Sequence, residues 1–235
     1  MIELEGIHKS FGKLEVLRGV SLEIPYGRVT AIVGPNGSGK TTLIKLLLGL
    51  AHANKGSVRI DGADVSGVHT YRKKIGYMPQ LAKFPENLTC RETLNLLRTL
   101  RNFPESDMNE YPPFDLGAEL NKKTRSLSGG ARQKLSACAA LMFDPALLIL
   151  DEPTAGLDPI SSHLFKRRIR AERDRGKTIV LTSHIMSEVQ TLADYIVFLL
   201  DGRVRFKGAL GQLLTTTGST ELETAVAALM EGAAA

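Results

Sequence analysis

Apolar and polar positions change their period along the chain, and each change marks an element. The first residues, Met1-Ile2-Glu3-Leu4-Glu5, alternate as one side of a strand requires. Ile2–Ile7, Val20–Ile24 and Val29–Val33 are predicted as strands, separated by Gly12, Gly19 and Pro25-Tyr26-Gly27. A helix is predicted to follow and to end near Gly49. Ser57–Ile60 is a short strand before the turn Asp61-Gly62, and Ile75–Met78 is extended ahead of Pro79-Gln80. From about Leu81 to Ser126 the character shifts. Pro85, Pro104, Pro112 and Pro113 and a single clear helix, Thr89–Arg101, indicate a smaller lobe.

Helix and strand then alternate. Helices Ala131–Met142, Pro159–Arg175 and Ser187–Leu192 interleave with strands Ala146–Leu150, Thr178–Thr182 and Tyr195–Leu199. Arg203–Lys207 is a last strand, and the Thr-, Ala- and Glu-rich tail beyond Ala209 is weakly helical. No internal repeat is found. This rhythm predicts an α/β fold with a mostly parallel sheet flanked by helices.

One segment turns the pattern into chemistry. Gly34-Pro35-Asn36-Gly37-Ser38-Gly39-Lys40-Thr41-Thr42 lies between the apolar run Val29–Val33 and the helical Leu43–Leu48. Strand, glycine-rich loop and helix in that order are the context of a phosphate-binding loop. Glycines let successive N–H groups point inward as an anion nest, and the following helix adds its positive end. Lys40 can then reach the β- and γ-phosphates, and the Thr41 hydroxyl can face Mg²⁺. The core is therefore expected to be of the P-loop NTPase type, behind an N-terminal antiparallel β subdomain.

Composition narrows the setting. The 235 residues suit one sizeable domain, or one with a small appended lobe, and 43% apolar with 23% charged residues is ordinary for a globular protein. No apolar stretch approaches the roughly 18 residues of a membrane span. The N-terminus lacks a basic-then-apolar export signal, so a cytoplasmic location is expected. Cys90 and Cys138 have no metal-like spacing, and Cys138 sits in an apolar helical run as a small core residue. Net charge is a mild +5. The densest basic cluster, Lys166–Arg175, reads first as a solvated helix face, with a nucleic-acid patch or an anionic membrane surface as the other readings.

Three further motifs carry candidate chemistry. The apolar strand Ala146–Leu150 ends in Asp151-Glu152, and ligands in open parallel sheets bind beyond such strand ends. Asp151 would hold hydrated Mg²⁺, and Glu152 could orient and deprotonate an attacking water. Leu127-Ser128-Gly129-Gly130 is a second glycine-rich turn entering a helix, with Ser128 as N-cap. One nucleotide does not need two such helix starts, so the second is expected to serve a neighbouring molecule. His184 ends the strand Thr178–Ser183 and could donate a hydrogen bond to a γ-phosphate; His8, His52, His69 and His163 are assigned to structure or surface.

Together these residues resemble the nucleotide-binding subunit of an ATP-binding cassette (ABC) transporter. The resemblance covers about residues 2 to 210: the phosphate loop Gly34–Thr42, the glutamine loop Tyr77-Met78-Pro79-Gln80 and the signature Leu127–Gly130. It continues through the acidic motif Leu147–Glu152, the distal loop Ala155-Gly156-Leu157-Asp158 and the switch histidine His184. It implies an ATPase domain over 1–210, with a helical lobe inserted at about 81–140, and a helical tail over 211–235.

It also implies that two cassettes, identical or related, pair head to tail. Each ATP would lie between one phosphate loop (Gly34, Asn36, Gly37, Ser38, Gly39, Lys40, Thr41, Thr42) and the opposing Ser128, Gly129 and Gly130. Phe11 would stack on adenine, Gln80 would join Thr41 and Asp151 at Mg²⁺, and Asp158 would cross the interface. A separate transmembrane permease is the implied partner, placing the chain on the inner face of the cell membrane; no nucleic acid is expected. Ala131 stands where the signature usually continues with Gln, the lobe is short, and no long regulatory domain follows within these residues, which favours exporter-like or lipid/protein-processing branches over classical importers. Arg132–Leu135, Phe143-Asp144-Pro145, Ser183–Glu188 and Val197–Gly202 are similar to ATPase subunits of copper-processing systems that mature nitrous oxide reductase. The rival function is a soluble ABC ATPase acting on ribosomes or DNA, whose members usually carry two cassettes or long coiled-coil insertions.

Overall fold

The computed structural model describes residues 2–103, 114 and 116–232. In chain order these form β1 (Ile2–Phe11), β2 (Leu14–Ile24), β3 (Val29–Val33), α1 (Lys40–Leu47), β4 (Lys55–Ile60), β5 (Ala63–Asp64) and β6 (Ile75–Met78). After α2 (Cys90–Leu100) and α3 (Gly129–Leu141) come β7 (Leu147–Asp151), α4 (Pro159–Asp174), β8 (Thr178–Thr182) and α5 (Met186–Leu192). The chain closes with β9 (Tyr195–Leu200), β10 (Arg203–Ala209), α6 (Leu210–Thr217) and α7 (Leu222–Glu231). Residues 1–72 with 178–235 form one compact unit and residues 73–177 a second. Pro104, Pro112 and Pro113 lie outside the described residues.

In the first unit, β1, β2, β4 and β5 make an antiparallel sheet in the order β2-β1-β4-β5. Its buried side carries Ile2, Leu4 and Ile7 of β1 and Val20, Leu22 and Ile24 of β2. The step from Leu4 to Ile7 breaks strict alternation. Gly6, at φ 57°, absorbs the break: the register with β2 shifts between Leu4 and Ile7, so Ile7 faces inward again. Beside this sheet, β3 pairs parallel with both β8 and β9, and β10 closes antiparallel on β9. All five residues of β3 and all five of β8 are buried, as parallel strands covered on both faces should be.

In the second unit, β6 runs parallel to β7, with Ile75 opposite Leu147 and Met78 opposite Leu150. The α3 backbone comes close to β6 because Gly76 has no side chain: a Cβ there would lie 2.1 Å from the Ala140 carbonyl oxygen. Helix α2 starts with a full capping box. The Thr89 hydroxyl accepts from the Glu92 N–H, and Glu92 accepts in return from the Thr89 N–H. Cys138 is fully buried, and burial pushes its thiol up to about 12, as a core cysteine requires.

The charge run on α4 differs from a solvated face at one position. Glu172 is fully buried and takes ion pairs from Arg168 (2.7 Å), Lys177 (2.5 Å) and Arg175 (3.3 Å). Lys177 and Arg175 also pair with Asp144, so the run is anchored through its buried acidic residue, Glu172.

Candidate functional site

The predicted site residues fall into two sets, one in each unit. The first unit holds Phe11, the Gly34–Thr42 loop and His184; the second holds Gln80, Ser128–Gly130, Asp151, Glu152 and Asp158.

The loop that leaves β3 has no room for larger residues at its start. A Cβ at Gly34 would lie 2.1 Å from the Leu199 carbonyl oxygen and 2.9 Å from Ser38 Oγ. The Ser38 hydroxyl is buried and has no hydrogen-bond partner among the described residues. Lys40, the first residue of α1, folds back so that Nζ donates to the carbonyls of Gly34 (2.7 Å) and Pro35 (2.9 Å). The helix start has left-handed Gly39 as N-cap, no side-chain cap and no acidic residue in its first turn. A narrow cradle, an orphaned hydroxyl and an uncapped positive helix end fit a polyphosphate. Asn36, Gly37 and Thr41 are exposed, and Thr42 is half-buried.

Phe11 closes β1 opposite Leu14, is 52% exposed, and has Lys9 Nζ 4.8 Å from its ring centroid. An aromatic face this open suits stacking on a base. His184 is exposed just past β8, where the Ser183 hydroxyl accepts from the Ile185 N–H at 3.1 Å and shapes the turn.

In the second unit, β7 delivers Asp151 and Glu152 at its carboxyl end, both buried. Burial, reinforced by the Asp151 charge, pushes the Tyr77 phenol up, which puts β6 and the acidic end of β7 in one electrostatic environment. Gln80 is exposed two residues beyond β6. Glu152 precedes Pro153 and adopts a φ of 51°. Its carbonyl accepts from the Ala155 N–H at 3.1 Å and from Gln133 Nε2 at 3.3 Å.

Ser128 caps α3, its hydroxyl accepting from the Ala131 N–H at 3.2 Å. Gly129 and Gly130 open the helix directly after the expected Ser128 cap, two residues before the predicted bound at Ala131. A Cβ on Gly130 would meet the Gly156 carbonyl oxygen at 3.1 Å, so the signature and the distal loop are in close contact. Asp158 caps α4, accepting from the Ser161 N–H (2.9 Å) and hydroxyl (2.5 Å), and pairs with Lys134 at 3.2 Å. The Ser161 hydrogen bonds, helped by Lys134, hold the Asp158 carboxyl well below the usual carboxylate range. Ser128, Gly130, Lys134 and Asp158 line a cavity of about 550 Å³.

A family model described as ABC transporter matches residues 17–155, more than half of the chain. The chain belongs to the ABC transporter family. That match takes in the phosphate loop, Gln80, the signature, Asp151 and Glu152, and leaves Phe11, Asp158 and His184 outside it. Among curated ABC relatives, the Nod factor export ATP-binding protein I of Ralstonia nicotianae is 34% identical, over 92% of this chain and 69% of its own length. The lantibiotic transport ATP-binding protein SrtF of Streptococcus pyogenes is 35% identical over 87% of this chain and 89% of its own.

A solved ATP-binding subunit of an ABC transporter superposes with a TM-score of 0.91 at 29% identity, covering 98% of this chain and 99% of that one. A dimeric cassette, MJ0796, in a post-hydrolysis state with ADP and Pi, superposes at 0.79 and 25% identity, covering 89% and 99%. The fold is thus the α/β fold of the ABC cassette, with an antiparallel β subdomain and parallel strands carrying the nucleotide motifs. No described helix is long and apolar enough to cross a membrane.

Two positions escape sequence reasoning. Gln133 is buried against the Glu152 carbonyl, and Lys134 pairs with Asp158. Gln133 and Lys134 share one signal: both lie on the first turns of the helix that the signature opens.

Proposed function

We propose that the chain binds and hydrolyses ATP to power a separate transmembrane permease, in an exporter-like system. The observation that carries this reading is the phosphate cradle: Gly34 without space for a methyl, the buried unpaired Ser38 hydroxyl, and Lys40 folded over the loop. In this reading the nest N–H groups and Lys40 hold the β- and γ-phosphates, and Phe11 stacks on adenine. Glu152 orients and deprotonates the attacking water, while His184 and the opposing cassette's Ser128–Gly130 stabilise charge on the γ-phosphoryl group.

Among the described residues no cluster of three or more His, Cys, Asp or Glu forms a metal site. This suits an ion that arrives with the triphosphate and is completed by few protein ligands. Thr41, Gln80 and Asp151 would hold that Mg²⁺, whose chemistry is to neutralise phosphate charge.

The ATPase domain in this account spans 1–210, with the helical lobe at about 81–140, and 211–235 is an appended helical tail. The chain works as a pair, with a second copy or a related cassette, peripherally on the cytoplasmic face of the membrane. The names of the relatives, export of Nod factor and transport of a lantibiotic, favour an exporter over ribosome or DNA work. A finer proposal, service to copper-enzyme (nitrous oxide reductase) maturation, rests on the stretches Arg132–Leu135, Phe143–Pro145, Ser183–Glu188 and Val197–Gly202. Its test is whether deleting the gene abolishes copper loading of that reductase.

The test of hydrolysis is Glu152→Gln. Phosphate release should slow at least about 100-fold, the low end for losing a general base, while ATP affinity is retained. Turnover near the wild-type rate would remove Glu152 from the role.

A further inference from the structure

We infer that Gln133 is a positioning residue for Glu152. Left-handed backbone is uncommon outside glycine, and a residue before proline is steered toward extended conformations. Glu152, at φ 51° and followed by Pro153, meets both obstacles. Such a conformation persists only where its surroundings over-determine it.

The determinants converge on one atom. The Glu152 carbonyl oxygen accepts from the Ala155 N–H at 3.1 Å and from Gln133 Nε2 at 3.3 Å. Ala155 belongs to the same turn and moves with it, so its bond shapes the turn but does not anchor it. Gln133 sits on α3 and anchors the turn from outside. That helix is also tied to the segment after Glu152 by Gly130 against the Gly156 carbonyl and by Lys134 on Asp158. Gln133 and Glu152 are 6% and 8% exposed, so water does not readily replace the amide if it is removed. A carbonyl held from two sides fixes ψ at residue 152, and with it the pose of the Cα that carries the carboxylate. The helix whose N-terminus bears Ser128 thereby sets the aim of the carboxylate at the end of β7.

The inference rests on the proposed role of Glu152. Its test is Gln133→Met, which keeps the length of the side chain and removes the donor, followed by turnover and ATP affinity measurements. Since small misplacements of a catalytic group can cost up to about 100-fold, kcat should fall about 10- to 100-fold with the ATP Kd unchanged. In a Glu152→Gln background the same substitution should leave the residual turnover unaltered, because the group being aimed is no longer a base. A purely structural glutamine would lower turnover by the same factor in both backgrounds. That result, or an unchanged kcat in Gln133→Met alone, overturns the inference. If Gln133→Met does not fold, Gln133→Asn withdraws the amide by one methylene and is read by the same comparison. Near-normal turnover in Glu152→Gln itself would instead sink the general-base role, so the two failures are distinguishable.

Discussion

Replacing Glu172 by Gln removes a buried charge while preserving volume, and the structure sets the expected loss. Glu172 is fully buried on α4, with Arg168 at 2.7 Å, Lys177 at 2.5 Å and Arg175 at 3.3 Å. Removing one partner of a buried pair costs about 3–5 kcal/mol, because the remaining charge is stranded. Here the stranding is partial. Lys177 keeps Asp144, and Arg175, with 51% of its side chain exposed, can turn to water. The amide that replaces the carboxylate still accepts hydrogen bonds. A loss of about 2–3 kcal/mol remains. At about 2–4 °C per kcal/mol for a chain of this size, the melting midpoint should fall by roughly 4–12 °C. Calorimetry of the nucleotide-free protein measures this, and ATP affinity measured at a temperature where both proteins are folded should be unchanged. A midpoint within about 1 °C of wild type would refute the reasoning, because the ion pairs would then merely offset their desolvation.

Thr89→Ala deletes half of the α2 capping box and should cost about 1 kcal/mol, seen as a lower denaturation midpoint with ATP binding unaffected. The Lys177 hydrogen bond, ahead of the Lys177 and Arg175 charges, holds the Asp144 carboxyl below its ordinary value. A depressed carboxylate stabilises the fold above its unfolded pKa of about 3.9 and loses that contribution as pH falls through the folded value. Asp144→Asn, which tolerates the φ of 47° there, should therefore be less stable than wild type near neutral pH, and the gap should close below roughly pH 4. The gap should be small, since 46% of the Asp144 side chain is exposed, and unfolding curves across pH would detect it.

Elements specified by local pattern were legible in the sequence. β8 occupies Thr178–Thr182, the expected bounds, because a run of β-branched and apolar residues between Lys177 and Ser183 leaves little else to form. The glycine-rich turn into α1 and the Ser128 cap were legible for the same reason: their geometry is set by consecutive residues. The tail was less so. It carries two helices, α6 and α7, and Gln190 ties the start of α7 by donating to the Thr220 carbonyl at 3.0 Å and accepting from the Leu222 N–H at 2.8 Å. Nothing in the composition of the tail announces a clamp thirty residues upstream. The burial of Glu172 was hidden likewise, since Asp144 and Lys177, which complete its network, lie outside α4. The bond from Gln133 to Glu152 joins two elements across nineteen positions, a distance that no helical or strand period reports.

The central claim is that one triphosphate is held between two cassettes, a phosphate loop on one side and a signature on the other. Size-exclusion chromatography with light scattering on Glu152→Gln, with ATP and Mg²⁺ and with its permease subunits supplied in parallel, measures this directly. The account predicts a nucleotide-dependent change from the 25.5 kDa monomer to a paired cassette, lost when Ser128 is also replaced. A chain that stays single at saturating nucleotide in both settings contradicts it.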